Sequence, residues 1–131
     1  MGLKEDDKKL AIELLIEKSN RHLEQAINVS KIGYWDLVVN RLYYSIFHAV
    51  TAMLLNDGIL TKSHKGTAQQ FGKNYVLTNK FDVADGRLYN RLQSKREAAD
   101  YNNVFSISQE EGHELIELTI NLQNKIIDYL K

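Results

Sequence analysis

Cysteine and proline are both missing from these 131 residues, and each absence removes a class of explanation. Without Cys there are no disulfides, no thiolate metal sites and no cysteine nucleophile, so a reducing compartment, by default the cytoplasm, is the expected setting. Without Pro nothing enforces a helix kink, and one of the usual loop markers is gone. Net charge is missing as well: 17 Lys and Arg balance 17 Asp and Glu. No overall positive field gathers nucleic acid, and any polyanion site must be local. No apolar run reaches the roughly 18 residues of a membrane span, and the stretch from Lys4 to Lys9 carries both signs of charge, unlike a signal peptide. Neither membrane insertion nor secretion is expected.

Cofactor chemistry finds no foothold either. There is no P-loop, no Gly-rich dinucleotide fingerprint and no zinc spacing. Glu110 and His113 form one Glu-x-x-His pair, but a di-iron bundle needs two such pairs and two further helical glutamates. His22, His48 and His64 have Ser19, Ser45 and Thr61 three residues earlier. No metal and no cofactor are expected.

What is present reads as helix, within one expected domain spanning residues 1–131. From about Lys4 to Ile32, Ile12, Ile16, Ser19, Leu23, Ala26, Ile27 and Ser30 recur at helical spacing, and Gly33 marks the stop. Tyr34 to about Asn56 is apolar nearly all round, as for a central helix covered on most sides. Ser63 is placed to cap a shorter helix running to about Leu77, and Asp82 to cap another from Val83 to about Tyr101, which Asn102 and Asn103 break. Ser108 and Glu111 form an S-x-x-E capping box ahead of a last helix bearing Leu115, Leu118, Thr119, Leu122, Ile126, Tyr129 and Leu130. Short connections make consecutive helices neighbours, so the expected fold is all-α, an antiparallel up-and-down four-helix bundle with an additional short helix. A second apolar row on the last helix, Ile116, Ile120 and Ile127, suits either a homodimer interface or a wedge between two helices of the same chain.

Three places could carry chemistry. On the second helix Tyr44, Ser45 and His48 fall within roughly 60° of Arg41, a polar strip on an apolar rod. Burying a guanidinium and an imidazole without partners costs several kcal/mol, so the strip is either an internal hydrogen-bond network or a site. As a site, Arg41 would hold a phosphate, His48 would move a proton, and Ser45 and Tyr44 would orient them. The turn Thr61, Lys62, Ser63, His64, Lys65, Gly66 gathers donors at a helix start, where an anion can dock or where Ser63 simply caps. The fourth helix carries a basic row, Arg87, Arg91 and Lys95, and an Arg96 to Asp100 pair at i, i+4 that reads as a surface salt bridge. That face is a candidate for RNA or an acidic partner, against the plainer reading of a solvated charged surface.

The string Trp35, Asp36, then Asn40, Arg41, Leu42, Tyr43, Tyr44, Ser45, Ile46, Phe47, His48, Ala49 is similar to that of small stand-alone HEPN proteins. The Ser63, His64, Lys65, Gly66 turn and the segment from Arg96 to Asp100 and Tyr101 follow in the same order. On these three motifs the chain resembles the HEPN superfamily over essentially its whole length. The resemblance implies a four-helix bundle with an extra short helix, a homodimer, and a minimal nucleotidyltransferase as protein partner in a toxin–antitoxin pair. It further implies an R-x(4 to 6)-H pattern late in the chain for ribonuclease members. Here the late segment runs from Arg96 to Tyr101 without a His, whereas Arg41 and His48 satisfy the spacing on the earlier helix. Three expectations therefore stand. One is a binding module for nucleotide or RNA, in a groove lined by Arg41, Tyr44, His48, His64 and Arg96, with Ser63, Lys65, Asp100 and Tyr101 as further binding residues. Another is a metal-independent ribonuclease with Arg41, His48 and Arg96 as its catalytic groups. A purely structural helical oligomer is the third.

Overall fold

Val38, Val39, Leu42, Ile46, Ala49, Val50 and Met53 are all fully buried, so the helix that carries them has neighbours on nearly every side. In the computed structural model, which describes residues 4–101 and 105–131, this is α2 (Trp35–Asn56). Around it stand α1 (Glu5–Ser30), α3 (His64–Phe71), α4 (Val83–Tyr101) and α5 (Gln109–Leu130), with a π-helical turn, Gly72–Val76, continuing α3. Among the described residues there is no strand. The expected break at Asn102 and Asn103 lies outside the described residues.

Side-chain pairings give the helix directions. Ser19 meets Ser45 and Gln25 meets Arg41, so α1 and α2 are antiparallel. They are joined by a turn in which Gly33 takes φ 78°, a conformation that costs a side-chain-bearing residue energy. Arg91 reaches Glu111 and Glu114, and Lys125 reaches Asp82 and Asp85, so α4 and α5 are antiparallel. Trp35 packs beside Gly112 and His113 at one end while Tyr129 reaches Asp57 at the other, so α2 and α5 run parallel. The four long helices thus alternate up and down, as expected for an all-α bundle.

Two polar devices hold the frame. Ser19 Oγ donates to the Ser45 carbonyl at 2.7 Å, Ser45 Oγ donates to the Ser19 carbonyl at 2.9 Å, and Gln123 Nε2 donates to Ser19 Oγ at 3.0 Å. This buried knot ties α1, α2 and α5 together and leaves its polar atoms paired. At the far end of α2, Tyr75 and Tyr129 both donate to Asp57 Oδ2, at 2.5 and 2.7 Å, so the π turn and α5 close on one carboxylate. Burial and that carboxylate push the Tyr129 hydroxyl up to about 12.

Several local expectations need correction. The third helix reaches only Phe71 as α-helix before widening into the π turn, where Tyr75 turns inward and is fully covered. Asp82 does not cap α4 through its side chain, because Lys125 takes its carboxylate; Asp85 instead accepts from the Asp82 backbone N–H. Ser108 does cap α5, accepting from Glu111 N–H at 3.0 Å, but the Glu111 carboxylate turns to Arg91 and Lys95 rather than back to the cap. In the second apolar row of α5, Ile116 is buried by its own chain, and Ile120 and Ile127 are half-buried. That leaves a narrower free face than the row suggests.

Of the described glycines, Gly112 lies closest against a neighbouring side chain. A Cβ there would lie 2.4 Å from two ring carbons of Trp35. Gly112→Ala is therefore expected to cost about 1–3 kcal/mol through overpacking, despite alanine's better helix propensity. A chemical denaturation curve checks this, and a midpoint equal to or above that of the unaltered chain would contradict it.

Candidate functional site

Four helices bring aromatic and basic side chains to one side of α2. Arg41, Tyr43, Tyr44, Phe47 and His48 come from α2 itself, His22 from α1, His64 from the first residue of α3 and Arg96 from the last turns of α4. Tyr43 is fully covered, whereas Arg41, Tyr44, Phe47, His48, His22, His64 and Arg96 are partly open.

Arg41 is oriented by neutral groups. Its Nε and Nη2 donate to Asn40 Oδ1 at 2.9 and 2.6 Å, and its Nη1 donates to Gln25 Oε1 at 3.3 Å. Arg21, Arg91 and Arg96 each have a carboxylate partner; among the described residues Arg41 and the exposed Arg87 have none. Arg41 thus combines a full positive charge with a fixed direction, the arrangement that receives an anion.

The imidazoles form the wall beside it. His22 and His48 stack with ring centroids 5.2 Å apart, and His22 Nδ1 lies 3.4 Å from Arg41 Nη1. His64 stacks on Phe47 at 4.5 Å and shares a 2.6 Å hydrogen bond with the Tyr43 hydroxyl. Burial lowers the pKa of all three, and the neighbouring cations add to it: Arg41 for His22 and Arg96 for His64. For His48, burial and then His22 bring it down to about 4. The site at neutral pH therefore holds uncharged imidazoles, which accept protons or hydrogen bonds but carry no positive charge. Burial also lifts the Tyr43 hydroxyl to about 12, against the opposing pull of Arg96.

His48 carries a pH prediction. Its folded pKa lies below the ordinary 6.5, so as pH falls below 6.5 the unfolded chain takes up a proton that the folded chain refuses. Stability is expected to decline through the window from 6.5 to about 4, and His48→Phe should flatten that part of the profile. Thermal melts across the window check it; an unchanged slope in the variant would contradict it.

Arg96 is not the surface residue its spacing suggests. Its side chain is only 13% exposed, with the guanidinium 4.6 Å over the Tyr43 ring and 5.7 Å over Tyr44. The bond to Asp100 exists at 3.5 Å, but it holds a mostly buried cation in place. Arg96 Nε and the Tyr89 hydroxyl are buried without a hydrogen-bond partner among the described residues. Nor is the basic row of α4 free: Arg91 and Lys95 are engaged by Glu111 and Glu114, leaving Arg87 exposed alone.

Other sequence-derived positions divide. Ser45 points into the helix–helix knot and orients nothing in the site, because the close α1–α2 approach claims its hydroxyl. Ser63 caps α3 by accepting from Gly66 N–H at 2.9 Å, and Lys65 is exposed beside it. Tyr101 is 85% exposed at the end of α4 and takes no part in the ring cluster. Sequence reasoning weighs His22 only as a metal ligand and Tyr43 only as part of the motif string, and it does not reach Gln25. The signal was thin, since His22 lies three residues after Ser19 on α1's inner face and looks like any partly covered polar residue. Among the described residues no group of three or more metal-ligating side chains gathers, and no helix is long and apolar enough to cross a membrane.

Comparison with known proteins agrees with this architecture. The family model described as HEPN domain matches residues 12–128. A Methanocaldococcus jannaschii protein named "Putative toxin MJ0142" is 35% identical over 122 residues, covering 93% of this chain and 83% of its own length. A Thermotoga maritima protein named only as a UPF0332 protein is 29% identical over 129 residues, 96% of this chain and 98% of its own. A second M. jannaschii protein, "Putative toxin MJ0605", is 31% identical over 90 residues, 69% of this chain and 67% of its own. With its helical bundle and a family match running over nearly the whole length, this chain belongs to the HEPN domain family.

Proposed function

We propose that this chain is the toxin-type HEPN module of a two-component pair, and that it binds RNA in the groove where α1, α3 and α4 meet α2. The observation that carries this reading is Arg41, a fixed guanidinium without a carboxylate, set beside uncharged imidazoles and the Arg96-covered tyrosines. Phosphate meets charge there, and the partly exposed Tyr44 side chain offers an aromatic surface to unpaired bases. The names of the two M. jannaschii relatives support the toxin side, and the HEPN resemblance supports a nucleotidyltransferase-type protein partner and a homodimer. Titrating the purified chain into a labelled single-stranded oligoribonucleotide at several salt concentrations tests the binding. Saturable binding that weakens with salt is expected, and no binding at low salt would refute it. Co-expression with the neighbouring gene's product tests the partner.

A ribonuclease is the second reading, favoured by neutral imidazoles lying beside a guanidinium. It ranks below binding because all three imidazoles are held uncharged, so none stands ready as the acid that protonates a leaving oxygen at neutral pH. Its mark is RNA cleavage that survives a chelator and disappears in His48→Ala.

A further inference from the structure

Gln25, His22 and Arg41 form a triangle whose hydrogen-bond roles can be worked out. Gln25 Oε1 lies 3.1 Å from His22 Nδ1 and 3.3 Å from Arg41 Nη1, and those two nitrogens are 3.4 Å apart. A guanidinium only donates, and an amide oxygen only accepts. If the Gln25 amide were flipped, its NH2 would face the donating Arg41. If His22 Nδ1 were the unprotonated nitrogen, its lone pair would face the Gln25 oxygen. One assignment satisfies every group: Gln25 Oε1 accepts from both Arg41 Nη1–H and His22 Nδ1–H, and the Arg41 to His22 approach is a contact. The proton then sits on Nδ1, and His22 Nε2 is left as a bare acceptor on a half-exposed ring.

We infer that His22 Nε2, held in this tautomer by Gln25, accepts a hydrogen bond from the ribose 2′-hydroxyl of an RNA strand whose adjoining phosphate rests on Arg41. In a ribonucleotide the 2′-hydroxyl and the 3′-phosphate stand on neighbouring carbons, so their receptors must also stand side by side. Arg41 Nη1 lies 3.4 Å from Nδ1 of the same ring that carries Nε2, so the imidazole and the guanidinium stand side by side. The 2′-hydroxyl is the group by which a protein tells RNA from DNA at a given position. The inference rests on the RNA reading of the groove and adds to it a choice of sugar made by two α1 residues.

Fluorescence anisotropy with the full chain and end-labelled oligouridylate and oligodeoxyuridylate of equal length isolates the 2′-hydroxyl. The unaltered chain is expected to prefer the ribose strand by roughly tenfold, the value of one well-placed hydrogen bond. His22→Phe should abolish the preference, with the larger loss falling on the ribose strand, and Gln25→Leu should lose part of the preference. A thermal melt shows whether His22→Phe stays folded, and Gln25→Leu supplies the same test at a more exposed position. Equal binding of the two strands by the unaltered chain, or a loss in His22→Phe that falls on both alike, overturns the inference while leaving the RNA site standing. Binding of neither strand overturns the inference together with the RNA reading beneath it.

Discussion

Ser45→Leu is expected to destabilise the protein by about 4 kcal/mol, combining overpacking of roughly 1–3 kcal/mol with a similar cost for disrupted buried hydrogen bonds. Ser45 is completely buried where α1 and α2 approach, and its hydroxyl donates to the Ser19 carbonyl while its own carbonyl accepts from Ser19 Oγ. A leucine side chain has no volume to enter there and would push the helices apart. The separation would also strain the Gln123 bond to Ser19, so the effect should reach α5. Ser45→Ala is the control: the backbone carbonyl still receives Ser19 Oγ, and the expected loss is about 1 kcal/mol. Denaturant unfolding of both variants checks the pair. A Ser45→Leu chain as stable as Ser45→Ala would mean that the helices do not meet as closely as described.

Arg41→Ala should act on binding instead of on the fold. Its hydrogen bonds go to Asn40, Gln25 and the neighbourhood of His22, all neutral and near the surface, so removal leaves no buried charge unpaired. A charge-assisted bond to phosphate is worth about 1.5–3 kcal/mol, so oligoribonucleotide affinity should fall roughly ten- to a hundredfold, with the salt dependence reduced by about one phosphate contact. Arg41→Lys should recover only part, since a lysine cannot use Asn40 Oδ1 as a two-pronged brace. Arg87→Ala, which removes an exposed cation outside the groove, is expected to change affinity little. Equal losses in Arg41→Ala and Arg87→Ala would show that general surface charge, rather than the groove, holds the strand.

Much of the fold was legible in the pattern of residues. Ser63 and Ser108 were readable as caps because capping is local chemistry between a hydroxyl and an N–H three residues on. The central position of α2 was readable because apolar residues occupy nearly its whole circumference. The site was legible only in part. Arg41, Tyr44, His48 and His64 lie together in the structure, but Ser45 shares the α2 face of the first three and belongs to the packing instead. A face spans roughly a third of the helix circumference, and periodicity cannot say where within that arc a neighbouring helix touches.

The charges show the same limit more sharply. Arg91, Lys95 and Arg96 look alike along the chain, yet two are drawn across to carboxylates of α5 and one is folded over Tyr43. Local spacing alone determined that the chain is helical, where its helices start, and that one of them is a buried rod bearing a polar strip, because hydrogen-bonded turns and burial periodicity act over a few residues. Which cations are neutralised, which imidazoles stack and which arginines are left without a carboxylate were decided by the assembled bundle. Those outcomes depend on distances between residues far apart in the chain, as Arg41 and Gln25 are, or Arg96 and Tyr43, and such distances exist only once the helices have packed.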